Sequence, residues 1–120
     1  MRATEPTQRE RAQLLRKEAG CWLRQLREKR GLSQRELADK VGAEVYTLIA
    51  KLEHGRGRIP PDRYLVWADA LEIERREFVR RLTYYYDPET YKIVFQDHAR
   101  PKRLKASLLM PGRPVDEESI

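Results

Sequence analysis

Residues 32–55, LSQRELADKVGAEVYTLIAKLEHG, contain the signals for two consecutive helices and the turn between them. Ser33 and Glu36 have the spacing of a capping box, in which the serine hydroxyl accepts from the backbone three residues on and the glutamate reaches back. Gly42 can adopt the left-handed conformation that ends a helix. The pattern therefore predicts a short helix that starts after Ser33 and ends at Gly42.

The second of the two helices has apolar residues at the positions i, i+3, i+4 and i+7, which form one face of a helix. These residues are Val45, Leu48, Ile49 and Leu52, and we expect them to be buried. The opposite face is polar or small, and it carries Tyr46, Thr47, Ala50, Lys51 and His54. The pattern predicts a helix with one buried and one outward face, closed by the glycine at position 55.

An apolar stripe before this pair predicts a long first helix that ends at Gly31. The stripe consists of Leu15, Ala19, Trp22 and Leu26. Gly20 lies inside it and costs about 1 kcal/mol relative to alanine in a helix interior. One continuous helix and two shorter pieces are both compatible with the sequence.

Two further helices are predicted after the loop that follows Gly55. Pro61 and Asp62 suit the first turn of a helix. The fourth helix buries Tyr64, Leu65, Ala68 and Leu71, and the fifth runs from Glu74 to about Tyr84 and buries Phe78, Val79 and Leu82. Trp22, Trp67 and Phe78 lie at helical spacing and are interpreted as core residues rather than as a platform for stacking bases.

Residues 87–90 predict a turn, and residues 91–95, YKIVF, are the best strand candidate in the chain. A single short strand is not stable alone, so we expect it to pair with a second copy of the chain. The three consecutive tyrosines before the turn cannot all face one small core, and interfaces favour tyrosine. The predicted dimer interface comprises Tyr84, Tyr85, Tyr86, Tyr91, Ile93 and Phe95.

The charge is unevenly distributed along the 120 residues, whose net charge is +6. Residues 1–60 carry 14 basic and 8 acidic side chains, whereas residues 61–120 carry 11 of each. A polyanionic partner is therefore expected to meet mainly the first half of the chain. The first 20 residues contain no long apolar run, so we expect a cytoplasmic, nucleoid-associated protein that does not contact a membrane.

Residues with the chemistry for catalysis or metal binding are few. Cys21 is the single cysteine, which excludes an intramolecular disulfide, and we expect it to be a small buried side chain. His54 and His98 are 44 positions apart and have no companions at metal-ligand spacing. We therefore expect a protein that is not an enzyme and that needs no cofactor or metal.

Residues 26–42 and 48–55 resemble the helix-turn-helix of the Xre and lambda-repressor-like (Cro-type) transcription regulators, and residues 61–78 resemble the following helices of that family. The resemblance covers about residues 20–82. It implies an all-α, five-helix DNA-binding domain and a bacterial or phage regulator that binds a pseudo-palindromic operator as a homodimer. The predicted organisation is an N-terminal helical extension (1–19), the DNA-binding domain (20–83), an aromatic turn and strand (84–95) and a flexible, basic-then-acidic tail (96–120).

The resemblance also implies which residues meet double-stranded DNA. Base readers belong at the start of the third helix: Glu44, Tyr46, Thr47, Ala50 and Lys51. Backbone contacts belong at the start of the second helix, at Ser33, Gln34 and Arg35. Two interpretations stay open for Glu44, which suits a cytosine amino group or the helix N-terminus, and for Lys51, which suits guanine or a phosphate.

Two features modify that assignment. Ten residues separate Gly42 from Glu53, where the family usually has nine, and the extra residue is expected to lengthen the turn around residues 43–44. The loop after the third helix carries Arg56 and Arg58 beside glycines and is a further candidate for phosphate or minor-groove contacts, with a solvated charged loop as the alternative. Glu53 is expected to brace helix ends through neighbouring arginines.

The tail has three open interpretations. Its basic cluster (Arg100, Lys102, Arg103 and Lys105) could add salt-sensitive contact with DNA. Its apolar residues (Leu104, Leu108, Leu109 and Met110) could order on a protein partner such as RNA polymerase or a toxin, or the tail could simply be solubilising. The alternative function is therefore an antitoxin-like or polymerase-contacting module that also binds DNA.

Overall fold

The computed structural model describes residues 5–96, and every regular element in that range is helical. The helices are α1 (Gln8–Lys29), α2 (Gln34–Val41), α3 (Thr47–Glu53), α4 (Tyr64–Leu71), α5 (Arg75–Tyr86) and α6 (Pro88–Tyr91). A 3-10 turn (Pro61–Arg63) precedes α4, and a π-helical turn (Lys92–Gln96) follows α6. The all-α prediction is confirmed for the part that is described, whereas residues 97–120 of the predicted tail, with both of its clusters, lie outside that part.

Helix α1 is one continuous helix and is not divided into the two shorter pieces that the sequence also allowed. It starts with a capping box that the sequence analysis missed, in which Thr7 Oγ1 accepts from the Glu10 amide at 3.0 Å. It passes through Gly20, where an added Cβ would lie only 2.3 Å from the carbonyl oxygen of Glu53. The glycine therefore allows the backbone of α1 to lie directly against the end of α3.

Helix α2 has the predicted signals at both ends. Ser33 Oγ accepts from the Glu36 amide at 3.0 Å, and Glu36 Oε1 accepts from the Ser33 amide at 2.8 Å. Gly42 ends the helix with a φ of 75°. Helix α2 thus begins and ends where the capping box and the glycine place it.

Helix α3 begins later than the apolar pattern suggests, because the five residues 42–46 form the turn before it. Ile49 and Leu52 are buried as expected, but Val45 is 58% and Leu48 42% exposed. The expectation that these last two residues are buried is wrong. Val45 precedes the helix, and the fully buried apolar side chains of this seven-residue helix are those of residues 49 and 52.

The core lies between α1, α4 and α5 and continues under α2 and α3. Trp22, Trp67 and Phe78 are buried in it, and the Trp22 and Phe78 rings stack at 5.5 Å. Two expectations of burial are wrong: Leu65 is 46% exposed, and Cys21 lies on the exposed side of α1 next to Trp22. Trp22 occupies the inward position at that point of α1, so its neighbour faces outward.

The strand predicted at residues 91–95 is wrong, because Tyr91 ends α6 and the next five residues continue as a π-helical turn. Pro88 is at the start of α6, a position that favours helix initiation. The Tyr91 ring then contacts Phe95 at 5.5 Å and Tyr84 at 5.2 Å. Aromatic residues that resemble a strand thus pack locally at helical spacing.

No helix within residues 5–96 combines the length and the apolar composition that a membrane span requires.

Candidate nucleic-acid interface

The carboxyl end of α3 is fixed to two other helices through Glu53. Arg27 of α1 donates to both Glu53 oxygens at 2.6 and 3.1 Å, and Gln34 Nε2 of α2 donates to one of them at 3.0 Å. The side chains of Arg27 and Glu53 are only 10% and 4% exposed. The hydrogen bonds that Arg27 donates to Glu53 raise the pKa of Arg27, since they favour its charged form. The predicted brace therefore exists, and it ties the ends of α1, α2 and α3 together.

The outward face of α3 is open to solvent. Thr47, Leu48, Lys51 and His54 are exposed, and Ala50 between them is half-buried. His54 Nδ1 lies 2.7 Å from the carbonyl oxygen of Ala50, so this ring is turned back onto the helix. Four of the five predicted outward residues thus lie on an accessible helical face, and Leu48 joins them.

The amino end of α3 has no side-chain cap, and Glu44 is exposed without a capping hydrogen bond to the helix. Tyr46 immediately precedes the helix, and its ring is 40% exposed. The guanidinium carbon of Arg35 lies 4.4 Å from the centroid of that ring. The predicted base reader Tyr46 and the predicted backbone residue Arg35 are therefore in direct contact.

The start of α2 presents the other predicted backbone residues. The hydroxyl of Ser33 is used in the capping box, whereas Gln34 gives one amide proton to Glu53 and keeps a second proton for another acceptor. The backbone amides of Gln34 and Arg35 lie in the first turn, where a helix leaves amides without internal partners. This end of α2 can therefore donate several hydrogen bonds to one anion.

The loop that follows α3, residues 55–60, is called the exit loop, and its two arginines have different environments. Arg56 is exposed, and within residues 5–96 it has no acidic partner. Arg58 instead donates to both oxygens of Asp87 at 3.1 and 2.9 Å and to Tyr64 Oη at 3.1 Å. Its pKa is raised chiefly by the hydrogen bonds to Asp87. The two arginines predicted to contact DNA therefore differ, because Arg58 is engaged inside the protein, whereas within the described residues Arg56 is not.

A stacking contact completes the surroundings of Arg58. Its guanidinium carbon lies 4.7 Å from the ring centroid of Tyr86, whose hydroxyl accepts from the Ile59 amide at 3.3 Å. Burial raises the pKa of Tyr86 and keeps that hydroxyl protonated. The exit loop is thereby anchored to the end of α5.

Several cations around this surface have no carboxylate partner within the described part of the chain. They are Lys17, Arg35, Lys40, Lys51 and Arg56. By contrast, Arg30, Arg75 and Arg80 each form an ion pair with a neighbouring acid. Positive charge that is not neutralised internally is available to a polyanion.

Sequence reasoning missed the apolar contribution of Val45 and Leu48 to this surface. Their periodicity indicates burial, and only the late start of α3 exposes them.

The predicted dimer residues do not form one uniform surface. Tyr85 is 8% exposed and packs against Trp22 at 5.9 Å, so it belongs to the core and the interface assignment is corrected. Tyr84 and Ile93 are 41% and 68% exposed. The remaining members, Tyr86, Tyr91 and Phe95, are half-buried. An apolar surface therefore exists at the C-terminal end of the described chain, without Tyr85.

Comparison with known families identifies the segment that contains this surface. Residues 23–78 match the family model described as helix-turn-helix. The matched range includes the last third of α1, then α2, the turn, α3, the exit loop, α4 and the start of α5. No curated protein gives a significant match to the chain.

Proposed function

We propose that the chain binds a pseudo-palindromic operator as a homodimer through α3. Over residues 23–78 it carries the DNA-binding helix-turn-helix domain of the Xre and lambda-repressor-like transcription regulators. The observation that supports the proposal most strongly is the exposed face of α3 on a helix whose far end is fixed by Glu53. A helix about 10–12 Å wide fits the major groove of B-DNA, which is about 12 Å wide. Binding to DNA would place the protein at the nucleoid in the cytoplasm.

Base reading is proposed for the residues at and before the exposed face of α3. Thr47 and Ala50 offer methyl groups to thymine, and Lys51 offers an ammonium group to guanine. Leu48, which is 42% exposed, adds an apolar contact of the kind that thymine methyls accept. Glu44 and Tyr46 lie at the turn, where Glu44 can accept from a cytosine amino group.

Phosphate contacts are proposed for the start of α2 and for the exit loop. Gln34 suits a phosphate because Glu53 orients its side chain while one amide proton and the backbone amide stay available. Ser33 supports the same site by shaping the first turn, and its hydroxyl proton can also donate. Arg56 provides the exposed cation on the other side of α3. Arg58 contributes indirectly, by anchoring the loop that carries Arg56.

The homodimer is proposed to use the apolar surface formed by Tyr84, Tyr91, Ile93 and Phe95 at the C-terminal end of the described chain. Exposed apolar side chains of this kind favour association. Two copies related by a two-fold axis would place their recognition helices about one turn of DNA, roughly 34 Å, apart. The antitoxin-like or polymerase-contacting alternative depends on residues 97–120, outside the described range, and it stays an alternative.

Selection of bound duplexes from a random pool tests the proposal. We expect an enriched consensus made of two inverted half-sites whose centres lie one or more helical turns apart. The control is the Lys51→Ala variant carried through the same selection, which should enrich a weaker or altered half-site. Recovery of no consensus with the unmodified chain would refute sequence-specific binding, and a consensus without inverted symmetry would refute the homodimer.

A further inference from the structure

Arg35 and Tyr46 form a cation–π pair across the turn between α2 and α3. The guanidinium carbon of Arg35 lies 4.4 Å from the ring centroid of Tyr46, and both side chains are exposed. Arg35 is the second residue of α2, whereas Tyr46 directly precedes the first residue of α3. The contact therefore holds the charged end of an α2 side chain beside the amino end of α3.

Within residues 5–96, no protein group accepts a hydrogen bond from the guanidinium of Arg35. Arg35 has no carboxylate or carbonyl partner there, although Arg24 and Arg30 each hold a glutamate. A cation–π contact provides no oxygen acceptor, so the N–H groups of this guanidinium stay available for hydrogen bonds to another molecule. The Arg35 guanidinium is thus a planar group of hydrogen-bond donors beside the Tyr46 ring, and no acceptor within the described residues occupies these donors.

We propose that Arg35 is a specificity-determining residue that donates two hydrogen bonds to O6 and N7 of a guanine in the major groove. This role replaces the phosphate contact expected from the start of α2, and it rests on the proposed function. The guanine edge offers two adjacent acceptors that match the fork of an arginine. Tyr46 is a positioning residue, because its ring keeps the fork beside α3 rather than over the amides of α2.

The geometry also explains why tyrosine at position 46 does not need to touch a base itself. An arginine side chain has several rotatable bonds, and ordering it on binding is unfavourable unless it is already ordered. The ring supplies that order in the free protein. A lysine at position 35 would keep the charge but lack both the planar face and the fork.

The test uses the full-length chain and a duplex from the random-pool selection, in which each guanine is replaced in turn by 7-deazaguanine, which lacks the N7 acceptor. We expect one such replacement in each half-site to weaken binding by the unmodified chain about tenfold. Arg35→Ala, which removes the donors, should lose about as much on the unmodified duplex and become insensitive to that replacement. Tyr46→Phe keeps the ring beside Arg35 and should keep the sensitivity at the same guanine, whereas Tyr46→Leu should lose it.

The contrary result separates this inference from the proposed function. If Arg35→Ala keeps the sensitivity to every 7-deazaguanine replacement, Arg35 does not contact a guanine and the inference fails, while sequence-specific binding stands. If the unmodified chain selects no consensus, the proposed function fails and the inference fails with it. Circular dichroism of each variant checks that helix content is unchanged, as expected for two exposed side chains.

Discussion

The two ends of α3 differ in how they are held. At the carboxyl end, Glu53 binds Arg27 and Gln34, and Gly20 brings the backbone of α1 against the helix. At the amino end there is no side-chain cap, the preceding turn is five residues long, and Val45 and Tyr46 are exposed. One end therefore supplies rigidity and the other supplies the groups that are free to bind. Fixing one end of a short helix is therefore enough to hold its side chains in position to contact DNA bases.

The largest effect is expected from the fixed end. Replacing Glu53 by Gln leaves Arg27 buried without its anionic partner, and such a loss costs about 3–5 kcal/mol of unfolding free energy. The matched control is Asp69→Asn, since the Arg75–Asp69 pair is 58% and 55% exposed, lies away from Arg27 and should contribute little to stability. Urea unfolding measures both variants. Equal, small losses would show that Glu53 is not a brace.

Gly20→Ala tests the close approach of α1 and α3. The new Cβ would meet the carbonyl oxygens of Glu53 and Leu52 at 2.3 and 2.7 Å, and backbone atoms cannot move aside easily. We expect a loss of about 3 kcal/mol, at the upper end of the range for overpacking. Cys21→Ala, on the exposed side of the same helix, is the control and should be nearly neutral. A stabilised Gly20→Ala protein would instead indicate ordinary helix propensity at this position.

The exit loop gives a sharper contrast between a held and a free cation. Arg56→Ala should make the slope of log affinity against log salt shallower by about 1 per protomer, because one phosphate contact is lost. Arg58→Ala should leave that slope unchanged and lower the unfolding free energy by about 1 kcal/mol, since its bond to Asp87 is partly exposed. Binding titrations at several salt concentrations measure the slopes. The reverse pattern would show that Arg58 leaves Asp87 to reach DNA.

The smallest effect on stability is expected at the open end. Leu48→Ser and Val45→Thr should each change the unfolding free energy by no more than about 0.5 kcal/mol, as is usual for exposed positions. Ile49→Ala, on the buried side of the same helix, should cost about 2–5 kcal/mol. A loss at Leu48 as large as that at Ile49 would mean that the apolar pattern was right about burial and that α3 starts earlier.

These contrasts also show which features the sequence could predict. Local signals were sufficient for α2, because Ser33, Glu36 and Gly42 act through bonds and dihedral angles within a few residues. The apolar period located α3 but not its first residue, since periodicity carries no information about where a turn stops. Residues 91–95 resemble a strand in composition, but the helix that starts at Pro88 continues through them as helical turns.

The arginines of the candidate site depend on partners that are far away in the chain. Arg56 and Arg58 have nearly the same local sequence, and the positions of Tyr64, Tyr86 and Asp87, the last of them 29 residues after Arg58, separate their roles. The contact between Arg35 and Tyr46 likewise requires the actual path of the turn. Sequence could therefore predict which types of residue surround α3, whereas the fold determines which of them are free.

The most direct test of the account is the affinity of Thr47→Ala and Lys51→Ala for the selected operator and for a scrambled duplex of the same length. Each genuine base contact should contribute about 1–3 kcal/mol on the operator. We predict that both variants lose this much binding free energy on the operator. Thr47→Ala should bind the scrambled duplex with the same affinity as the unmodified chain. Unchanged operator affinity in both variants would contradict the claim that the open face of α3 reads DNA.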